Sequence, residues 1–448
     1  MRVPKAPPPD REVLDKLVSQ GGARISELMR HSAAVDARGR YLHWDELRFK
    51  KPPAGFNVEE YWLATRMARS AASQPVPLTD VAGHRFSFCE PPSLKAALRD
   101  LDMNAGGALA SDVTALSSGE GRLYLARSLA EEPFASSLIE GAATTREIAK
   151  KLIFEGRAPR TKDERMVINN YQALEFVKSH RNHRMTSQLL LELHRIVTQD
   201  TLPNAADAGR VRTRDNIQVV DESTNEILHQ PPLAAYLDSR LDKLIRFANR
   251  RNEPQSWAHP IVKAIILHFV LSYEHPFVDG NGRVARALFY WSALKDGYWL
   301  IEYVSISSII AESKISYGRS FLHVEMDDAD LTYFLIYNCK ILRKAMARLS
   351  AYVARRREEV KAFEKRLGDH NRPDAFNHRQ SWLLNECARG RRHRVTIGEH
   401  AKQHGVTYLT ARSDLEKLTA ATFLRKSTVG RTSLYQPRRD LLRRLTAD

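Results

Sequence analysis

Residues 275–286, His-Pro-Phe-Val-Asp-Gly-Asn-Gly-Arg-Val-Ala-Arg, constrain the fold of this chain more than any other stretch. They separate an apolar run, residues 261–271, from a helix-like run, residues 283–294. The glycines let the backbone turn tightly, so that successive amide groups can point the same way, and the following helix adds its positive end. The sequence therefore predicts two packed helices joined by a short loop that can bind a polyphosphate.

Each chemical role in such a loop has a candidate side chain. His275 can accept a proton, and Asp279 can hold a divalent cation. Arg283 and Arg286 project from one helix face, because residues three apart are neighbours on a helix surface. Taken singly, these features have ordinary explanations: a surface turn, a loop histidine and a solvated arginine pair. Their occurrence together within twelve residues favours a catalytic loop.

The twelve residues also resemble the signature of the Fic family, His-x-Phe-x-(Asp/Glu)-Gly-Asn-Gly-Arg-x-x-Arg, at every defined position. Most characterised Fic proteins transfer the AMP part of ATP to a hydroxyl group of a target protein. The resemblance implies a nucleotidyltransferase that uses ATP and Mg²⁺, with His275 as the catalytic base and Asp279 as the metal ligand. It also implies a mainly α fold, in which a Fic-type helical domain carries a β-hairpin flap.

The resemblance further implies a phosphate contact for each of three other polar side chains. Asn281 would steady the α-phosphate of ATP, Arg283 the β-phosphate and Arg286 the γ-phosphate. Phe277 is expected to anchor the loop in the core. The predicted ATP-binding residues are Gly280, Asn281, Gly282, Arg283 and Arg286.

A second motif, Ser-Ser-Leu-Ile-Glu-Gly at residues 136–141, ends a predicted helix upstream of the loop. Alone it is typical of a helix end with a glycine stop. It also resembles the Fic inhibitory motif, (Ser/Thr)-x-x-x-Glu-(Gly/Asn), with Ser136, Glu140 and Gly141 at the three defined positions. A carboxylate facing Arg286 would occupy the guanidinium that should hold the γ-phosphate. The resemblance therefore implies autoinhibition by Glu140, and a helix-end carboxylate of no consequence is the alternative.

Residues 209–232 contain two short β-prone runs around a polar turn, residues 221–225, and end in a diproline. This pattern predicts a hairpin, because the diproline stops the second strand. In Fic proteins a hairpin of this kind, preceded by Gly-x-x-Arg, forms a flap above the active site, and its edge can pair with an extended target segment. An ordinary surface hairpin is the alternative. Gly209 and Arg212 are expected to be framework residues.

Two residues outside these motifs match positions that Fic proteins often fill. His194 lies on an apolar helical segment, and we expect it in the core rather than in the site. Tyr317 falls where family members often place an aromatic residue near the adenine. The resemblance implies an adenine contact for Tyr317 and a structural role for His194.

The formal charge of +16 is concentrated at the C-terminal end. Residues 351–448 contain 22 Lys/Arg against 11 Asp/Glu, which accounts for +11 of the total. The order of predicted elements there resembles a winged helix-turn-helix, with residues 408–417 as the recognition helix and Gly430-Arg431 as the wing tip. A basic module of this kind favours DNA as a partner, although such modules also contact proteins. The candidate DNA contacts are Arg412, Lys417, Arg425, Lys426 and Arg431.

The chain of 448 residues, 43% hydrophobic and 27% charged, is long enough for several domains with cores of their own. Residues 1–110 show mostly helical periodicity and no catalytic candidate. The predicted domains are an N-terminal mainly helical region, residues 1–110; a Fic domain with its inhibitory helix, 111–345; a helical linker, 346–373; and a winged helix-turn-helix domain, 374–448.

The sequence also indicates the cellular compartment in which we expect the protein. No apolar run approaches the ~20 residues that span a bilayer, and the proline-rich N-terminus lacks the apolar core of a signal peptide. Cys89, Cys339 and Cys387 are too scattered for a metal site or a disulfide framework, which is typical of a reducing compartment. We therefore expect a cytoplasmic protein without a membrane segment.

The sequence supports adenylyl transfer to a Ser, Thr or Tyr hydroxyl of a target protein, which could be the protein itself. It leaves two alternatives open: a DNA-bound transcriptional regulator whose Fic domain senses or modifies the protein itself, and removal of AMP from modified protein. Neither the target nor the oligomeric state follows from the sequence, and a homodimer stays open.

Overall fold

The computed structural model describes residues 2–19, 21–105, 127–221, 224–250, 258–369, 376–388, 392–429, 432–438, 440, 441 and 445. Within these ranges the protein is mainly helical, and the prediction of a mainly α fold is confirmed. None of the described helices is both long enough and apolar enough to cross a bilayer. Cys89, Cys339 and Cys387 are each buried and form no disulfide.

The N-terminal region is helical, as predicted, except for one hairpin that the sequence did not indicate. Its two strands pair antiparallel, and Ser87 also exchanges backbone hydrogen bonds with Ala329 and Leu331. The hairpin thereby joins this region to the central domain. The elements are α1 (Asp10–Ser19), α2 (Gly22–Arg30), α3 (Trp44–Leu47), α4 (Val58–Ala71), β1 (Gln74–Thr79), β2 (Arg85–Phe88) and α5 (Pro92–Ala105).

The central region consists of helices with one small hairpin. β3 and β4 pair antiparallel in the predicted flap, but each is only two or three residues long. Of the predicted turn, residues 222 and 223 lie outside the described ranges. The elements are α6 (Glu131–Ile139), α7 (Arg146–Phe154), α8 (Lys162–Ser179), α9 (Ser187–Thr198), β3 (Val219–Val220), β4 (Ile227–His229), α10 (Ala234–Ala248), α11 (Pro260–Glu274), α12 (Asn281–Lys295), α13 (Ile306–Ile310), α14 (Lys314–Met326) and α15 (Thr332–Asp369), with short 3-10 turns at Arg127–Ala130, Ala205–Asp207, Trp299–Tyr303 and Ala311–Ser313.

Helices α11 and α12 form the centre of the core and flank the loop that the sequence predicts to be catalytic. All residues of α11 except Pro260 and Ser272 are buried, which is typical of a helix packed on every side. Pro260 at the first turn and the His259 side chain, which accepts from the Ile261 amide, define where α11 begins. Because the loop connects two fully packed helices, its ends are rigidly held.

Helix α15 is one continuous helix of 38 residues. It begins in the core and extends into the charged segment, so the predicted boundary between residues 345 and 346 lies inside it. The charged residues after 350 continue the helical periodicity without a breaker. Residues 346–369 of the predicted linker therefore continue a core helix.

The C-terminal elements form a small three-stranded sheet beside three helices. The strand order is β5-β7-β6, and both pairings are antiparallel. The predicted wing tip, Gly430-Arg431, lies outside the described residues, and the winged helix-turn-helix assignment stays a prediction. The elements are α16 (His378–Ala388), β5 (Val395–Thr396), α17 (Ile397–His404), α18 (Tyr408–Ala420), β6 (Leu424–Val429) and β7 (Thr432–Pro437).

The C-terminal elements contact the central region near the end of α7. Lys402 Nζ donates to Ile153 O at 3.0 Å and lies 5.4 Å from the centroid of the Tyr171 ring. Arg394 NH2 lies 3.6 Å from Glu155 Oε2. Lys402 thus joins α17 to the end of α7, the helix that follows α6 in the chain, and to α8, whereas Arg394 lies just before β5.

Candidate active site

His275 stands at the junction between α11 and the loop. It caps α11 in the left-handed region, with φ 46° and ψ 54°, a conformation in which histidine occurs more often than most residues. Arg212 holds this junction from the side of the flap: its backbone N–H donates to Pro276 O at 2.9 Å, and its Nε donates to His275 O at 3.0 Å. The flap and the loop are therefore joined at the candidate base.

The protonation state of His275 follows from its hydrogen bonds and its burial. Nδ1 lies 3.1 Å from Ser272 O, which can only accept, so Nδ1 carries the proton and Nε2 keeps its lone pair. Burial lowers the pKa of His275, and the positive charges of His229 and Arg212 lower it further. The hydrogen bond to Ser272 and the charge of Glu140 act in the opposite direction. Because the pKa lies below its ordinary value of 6.5, the imidazole is neutral at pH 7 and Nε2 can accept a proton.

The Asn281 side chain closes the loop upon itself. Its Oδ1 accepts from the Phe277 amide at 2.9 Å, and its Nδ2 donates to Phe277 O at 2.8 Å. Phe277 is fully buried, as the sequence indicated, and its ring stacks on His194 with centroids 3.8 Å apart. Because the oxygen and the nitrogen of the Asn281 side chain are both bonded within the loop, the backbone N–H of Asn281, in the first turn of α12, is the group left to contact a phosphate.

His194 supports the loop from the core. Its Nδ1 accepts from the Gly209 amide at 2.9 Å, so Nε2 carries the proton and donates to Asp279 O at 3.0 Å. Burial lowers the pKa of His194 to about 4, which keeps the ring neutral. The histidine thus links the base of the flap, at Gly209, to the loop at Asp279.

Gly280 is a position where the loop needs glycine. Its φ is +87°, and an added Cβ would lie 2.9 Å from Thr198 Cγ2 and 3.5 Å from His194 Cδ2. Backbone with positive φ costs an ordinary residue free energy, and the neighbouring Thr198 leaves no room for a side chain. The close approach of the loop to α9 therefore depends on Gly280.

Asp279 and Arg283 form an ion pair beside the loop. Arg283 NH2 lies 3.0 Å from Asp279 Oδ1, and Arg283 NH1 donates to Val197 O at 2.9 Å. Burial opposes ionisation of Asp279, but Arg283 and the Gly280 amide outweigh burial and lower its pKa, so it is a carboxylate at neutral pH. Arg283 is buried, and its Nε has no hydrogen-bond partner among the described residues. An unpaired buried donor of a guanidinium is a place for an anionic ligand.

Arg286 is held by the two predicted inhibitory side chains. Its Nε donates to Ser136 Oγ at 3.0 Å, and its NH2 donates to Glu140 Oε1 at 2.8 Å and to Ser136 O at 3.2 Å. A Cβ built on Gly282 would overlap Glu140 Oε1, so the carboxylate lies directly against the glycine turn. Arg286 itself is 1% exposed. The structure thus places Glu140 on the guanidinium that the sequence assigns to the γ-phosphate.

The end of α6 has a regular helix stop that aims Glu140 at the loop. Gly141 has φ 89°, its amide donates to Leu138 O at 3.2 Å, and the Ala142 amide donates to Ser137 O at 3.0 Å. These two bonds define a Schellman motif. Lys314 Nζ donates to the carbonyls of Leu138 and Ile139. The third motif residue, Gly141, therefore serves the helix stop rather than a direct contact with Arg286.

Glu132 anchors the other end of α6. Its carboxylate accepts from the side chains of Ser305 and Ser307 and from the Ser307 amide. Burial raises the pKa of Glu132, while the three hydrogen bonds act in the opposite direction. This contact could not be predicted from the sequence, because residues 132 and 307 belong to segments that no motif connects.

Residues of the loop, the flap and α14 line a cavity of about 280 Å³. Its lining includes His275, Gly282, Arg286 and Glu140. Tyr317 also lines it and accepts or donates a hydrogen bond with His268 Nε2 at 2.8 Å. The structure therefore brings the candidate base, the glycine turn, the arginine and the carboxylate into one site. The adenine contact of Tyr317 stays a prediction.

The lining of this cavity also includes His229 and Glu325, which no sequence motif identifies. They form a pair across the cavity wall, with His229 Nδ1 2.7 Å from Glu325 Oε2. His229 follows an apolar dipeptide in the flap, and Glu325 lies in an amphipathic helix. Neither position carries a local signal that would have identified the pair.

The Fic/DOC family model matches residues 184–293. That range contains α9, the flap, α10, α11, the loop and most of α12. This part of the chain therefore forms a Fic-type domain. The matched range does not include α6, which carries Ser136 and precedes Glu140.

Curated relatives are similar over a minority of the chain. Protein adenylyltransferase fic-1 of Caenorhabditis briggsae is 30% identical over 151 residues, which are 33% of this chain and 27% of the relative. Protein adenylyltransferase Fic of Nematostella vectensis is 28% identical over 188 residues, which are 40% of this chain and 41% of the relative. The chain thus spans less than half of the length of each. Among solved structures, a Fic family protein from Desulfovibrio desulfuricans G20 has a TM-score of 0.45 and 20% identity, covering 78% of this chain and 96% of its own.

Proposed function

We propose that this protein is a protein adenylyltransferase, which transfers AMP from ATP to a Ser, Thr or Tyr hydroxyl of a target protein, and that Glu140 inhibits it. The observation that carries the proposal is a neutral His275 in one cavity with a glycine turn and Arg286, whose guanidinium is held by Glu140. Incubation with Mg²⁺ and isotopically labelled ATP, followed by mass spectrometry of the protein and of added lysate, tests the reaction. Labelled GTP, CTP and UTP in parallel test the choice of nucleotide.

The phosphate chain would lie along the start of α12. The first amides of a helix have no intrahelical acceptor, and the helix dipole makes this end favourable for anions. Arg283 offers its unpaired Nε, and Arg286 offers the donors that Glu140 now occupies. In this arrangement the amides of residues 281 and 282 and the two guanidinium groups share the negative charge of the triphosphate.

Asp279 is a suitable ligand for Mg²⁺. Its side chain is 45% exposed at the edge of the loop, and it is ionised at neutral pH. Proteins often hold Mg²⁺ through one or two carboxylates, with substrate phosphates and water completing the shell. A single protein carboxylate beside the phosphate-binding amides therefore fits this ion. When bound, Mg²⁺ neutralises charge on the phosphate oxygens.

His275 performs the proton transfer in this proposal. The target hydroxyl donates its proton to His275 Nε2 and attacks the α-phosphorus in line with the leaving oxygen. A bond forms between that phosphorus and the target oxygen, the bond to the β-phosphate oxygen breaks, and pyrophosphate leaves. The Ser272 carbonyl holds Nδ1–H throughout, so the imidazolium that forms keeps its orientation.

The flap offers a docking edge for the target segment. Val220 on β3 and Ile227 on β4 are large apolar side chains with exposures of 40% and 53%. The flap is attached to the loop through Arg212, so a chain paired with its edge would lie near His275. Peptides and exposed loops with a hydroxyl residue are the substrate class that this geometry favours, including segments of the protein itself.

Replacing Asp279 by asparagine should lower AMP transfer at least tenfold and raise the Mg²⁺ concentration required for half-maximal rate. The amide has the size of the carboxylate but no charge to hold the ion. Initial rates across a Mg²⁺ titration, in a Glu140→Gly background, measure both effects. Asp100→Asn is the matched control, because Asp100 is 49% exposed and also pairs with an arginine, Arg343. An unchanged Mg²⁺ dependence would remove the role assigned to Asp279.

A second candidate function, DNA binding, is favoured by exposed cations on adjoining C-terminal surfaces. Arg412 and Lys417 are exposed on α18, and Arg425 and Lys426 are exposed on β6. Glu416 offsets part of this charge, since it lies 2.6 Å from Lys426 Nζ. The remaining positive charge suits a phosphate backbone.

We expect the full chain to bind duplex DNA with an affinity that falls steeply with salt, because phosphate contacts release counterions. Fluorescence anisotropy with a labelled duplex between low and physiological salt measures this. An Arg412→Gln/Lys417→Gln variant should weaken binding, whereas Arg40→Gln, an exposed arginine in the N-terminal region, should not. DNA binding by the intact chain in the absence of any modified protein would favour a regulator, and no binding at low salt would exclude this candidate.

A further inference from the structure

His229 has hydrogen-bond partners that determine its charge. It ends β4 of the flap and is 9% exposed. Its Nδ1 lies 2.7 Å from Glu325 Oε2, and its Nε2 lies 2.7 Å from Tyr273 O. Both partners are acceptors, a carboxylate and a backbone carbonyl, so each ring nitrogen has to supply a proton. The ring in this arrangement is a doubly protonated imidazolium.

The same contacts join three elements around the cavity. β4 belongs to the flap, Glu325 to α14 and Tyr273 to the last turn of α11, two residues before His275. The ring of His229 also lies 4.6 Å from that of Tyr273, centroid to centroid. The carbonyl that it bonds lies at the negative end of the α11 dipole, which favours a cation. His229 therefore fastens the flap to the wall of the site.

Charged and titratable groups face His229 from the elements packed against it. Glu325 faces it from α14, Glu274 from α11, and His275 from the loop; Arg240 of α10 pairs with Glu274. Burial lowers the pKa of His229, but Glu325, the Tyr273 carbonyl and Glu274 together outweigh burial and raise it. The neighbouring charges thus agree with the protonated state that the hydrogen bonds require.

We infer that His229 is a positioning residue for the proposed transfer: as a buried cation it latches the flap to α11 and α14 and disfavours a second positive charge on His275. Its effect on transfer rests on the proposed function, whereas its protonation does not. A neutral residue at position 229 would let His275 bind a proton at higher pH, because like charges in one cavity disfavour each other. It would also leave the Glu325 carboxylate without its cation and loosen the flap.

The rate of the proposed transfer depends on pH through both histidines. Below its raised pKa, His229 is charged and holds the flap against α11 and α14. These contacts weaken as pH rises through that pKa. His275 behaves oppositely, because it must lose its proton to act as a base. The working range of the site is therefore bounded below by protonation of His275 and above by deprotonation of His229.

Nuclear magnetic resonance of ¹⁵N-histidine-labelled protein tests the charge without any need for activity. We expect both ring nitrogens of His229 to carry protons at pH 7, and the titration midpoint of His275 to rise by about half a pH unit or more in His229→Gln and in Glu325→Gln. His84→Gln is the matched control, since His84 pairs with Asp80 but is exposed outside the cavity. A neutral His229 at pH 7, or a His275 midpoint that is unmoved in both variants, would overturn the inference.

Kinetics in a Glu140→Gly background test the consequence. The acid limb of the kcat/KM profile should move to higher pH by the same amount as the His275 midpoint, and KM for the target should rise severalfold while KM for ATP stays constant. An equal fall in kcat with no movement of the acid limb would mark a merely structural role. If the Glu140→Gly protein transfers no AMP at all, the proposed function fails, and the resonance experiment still decides the charge of His229.

Discussion

Glu140→Gly should transfer AMP about ten- to a hundredfold faster than the wild-type protein, with self-modification as the most direct readout. Glu140 now occupies Arg286 through a charge-assisted hydrogen bond of 2.8 Å, and such bonds contribute ~1.5–3 kcal/mol, which corresponds to about one to two powers of ten in affinity. Removing the carboxylate frees both the guanidinium and the space against Gly282. Glycine suits the end of α6, so the helix should persist. Incorporation of labelled AMP, located by mass spectrometry, measures the gain.

The chain offers a matched control for this substitution. Glu155 caps α7 and is followed by Gly156, just as Glu140 caps α6 and is followed by Gly141. Glu155→Gly therefore changes the same residue type at the same kind of helix end, away from Arg286. Its transfer rate should equal that of the wild type. Equal rates for Glu140→Gly and wild type at limiting ATP would show that the contact between Glu140 and Arg286 does not inhibit.

The largest loss is expected from His275→Asn, which should reduce transfer by about 10²–10⁴-fold, the usual contribution of a general base. Asparagine tolerates the left-handed backbone at this position and so preserves the junction between α11 and the loop. Its amide cannot accept the proton of the target hydroxyl. Rates in the Glu140→Gly background measure the loss, and calorimetry with ATP should detect unchanged nucleotide binding.

His183→Asn is a suitable control for this loss, because His183 is exposed in the loop after α8. Thermal unfolding of both variants should give transition temperatures close to that of the parent protein. Full transfer by His275→Asn would mean that another group takes the proton. Loss of ATP binding in the same variant would instead place His275 among the nucleotide contacts.

The turn of the candidate catalytic loop could be predicted from the sequence because its geometry is local. Gly280, the bonds of Asn281 to Phe277, and the following helix all lie within a few residues of one another, so residue type and spacing determine the turn. The meeting of Arg286 with Ser136 and Glu140 is a long-range contact. Only the resemblance of both motifs to known ones predicts this contact, and no periodicity in the sequence pairs them.

The features that could not be predicted depend on tertiary contacts. The hairpin β1–β2 contains Pro75 and Pro77, which weaken a strand pattern, and its position is determined by pairing of Ser87 with distant backbone. His229 and Glu325 are brought together by packing of the flap on α14. A histidine in a short apolar strand carries no local sign of the carboxylate that it will meet.

The attachment of Glu140 to the same chain as Arg286 determines how the proposed inhibition would respond to conditions. A tethered carboxylate has an effective concentration at its partner that is set by geometry and is independent of how much protein is dissolved. ATP would therefore compete with a carboxylate whose effective concentration is fixed, and dilution of the protein would not relieve the inhibition. Only a rise in nucleotide, or an event that moves the end of α6, changes the balance.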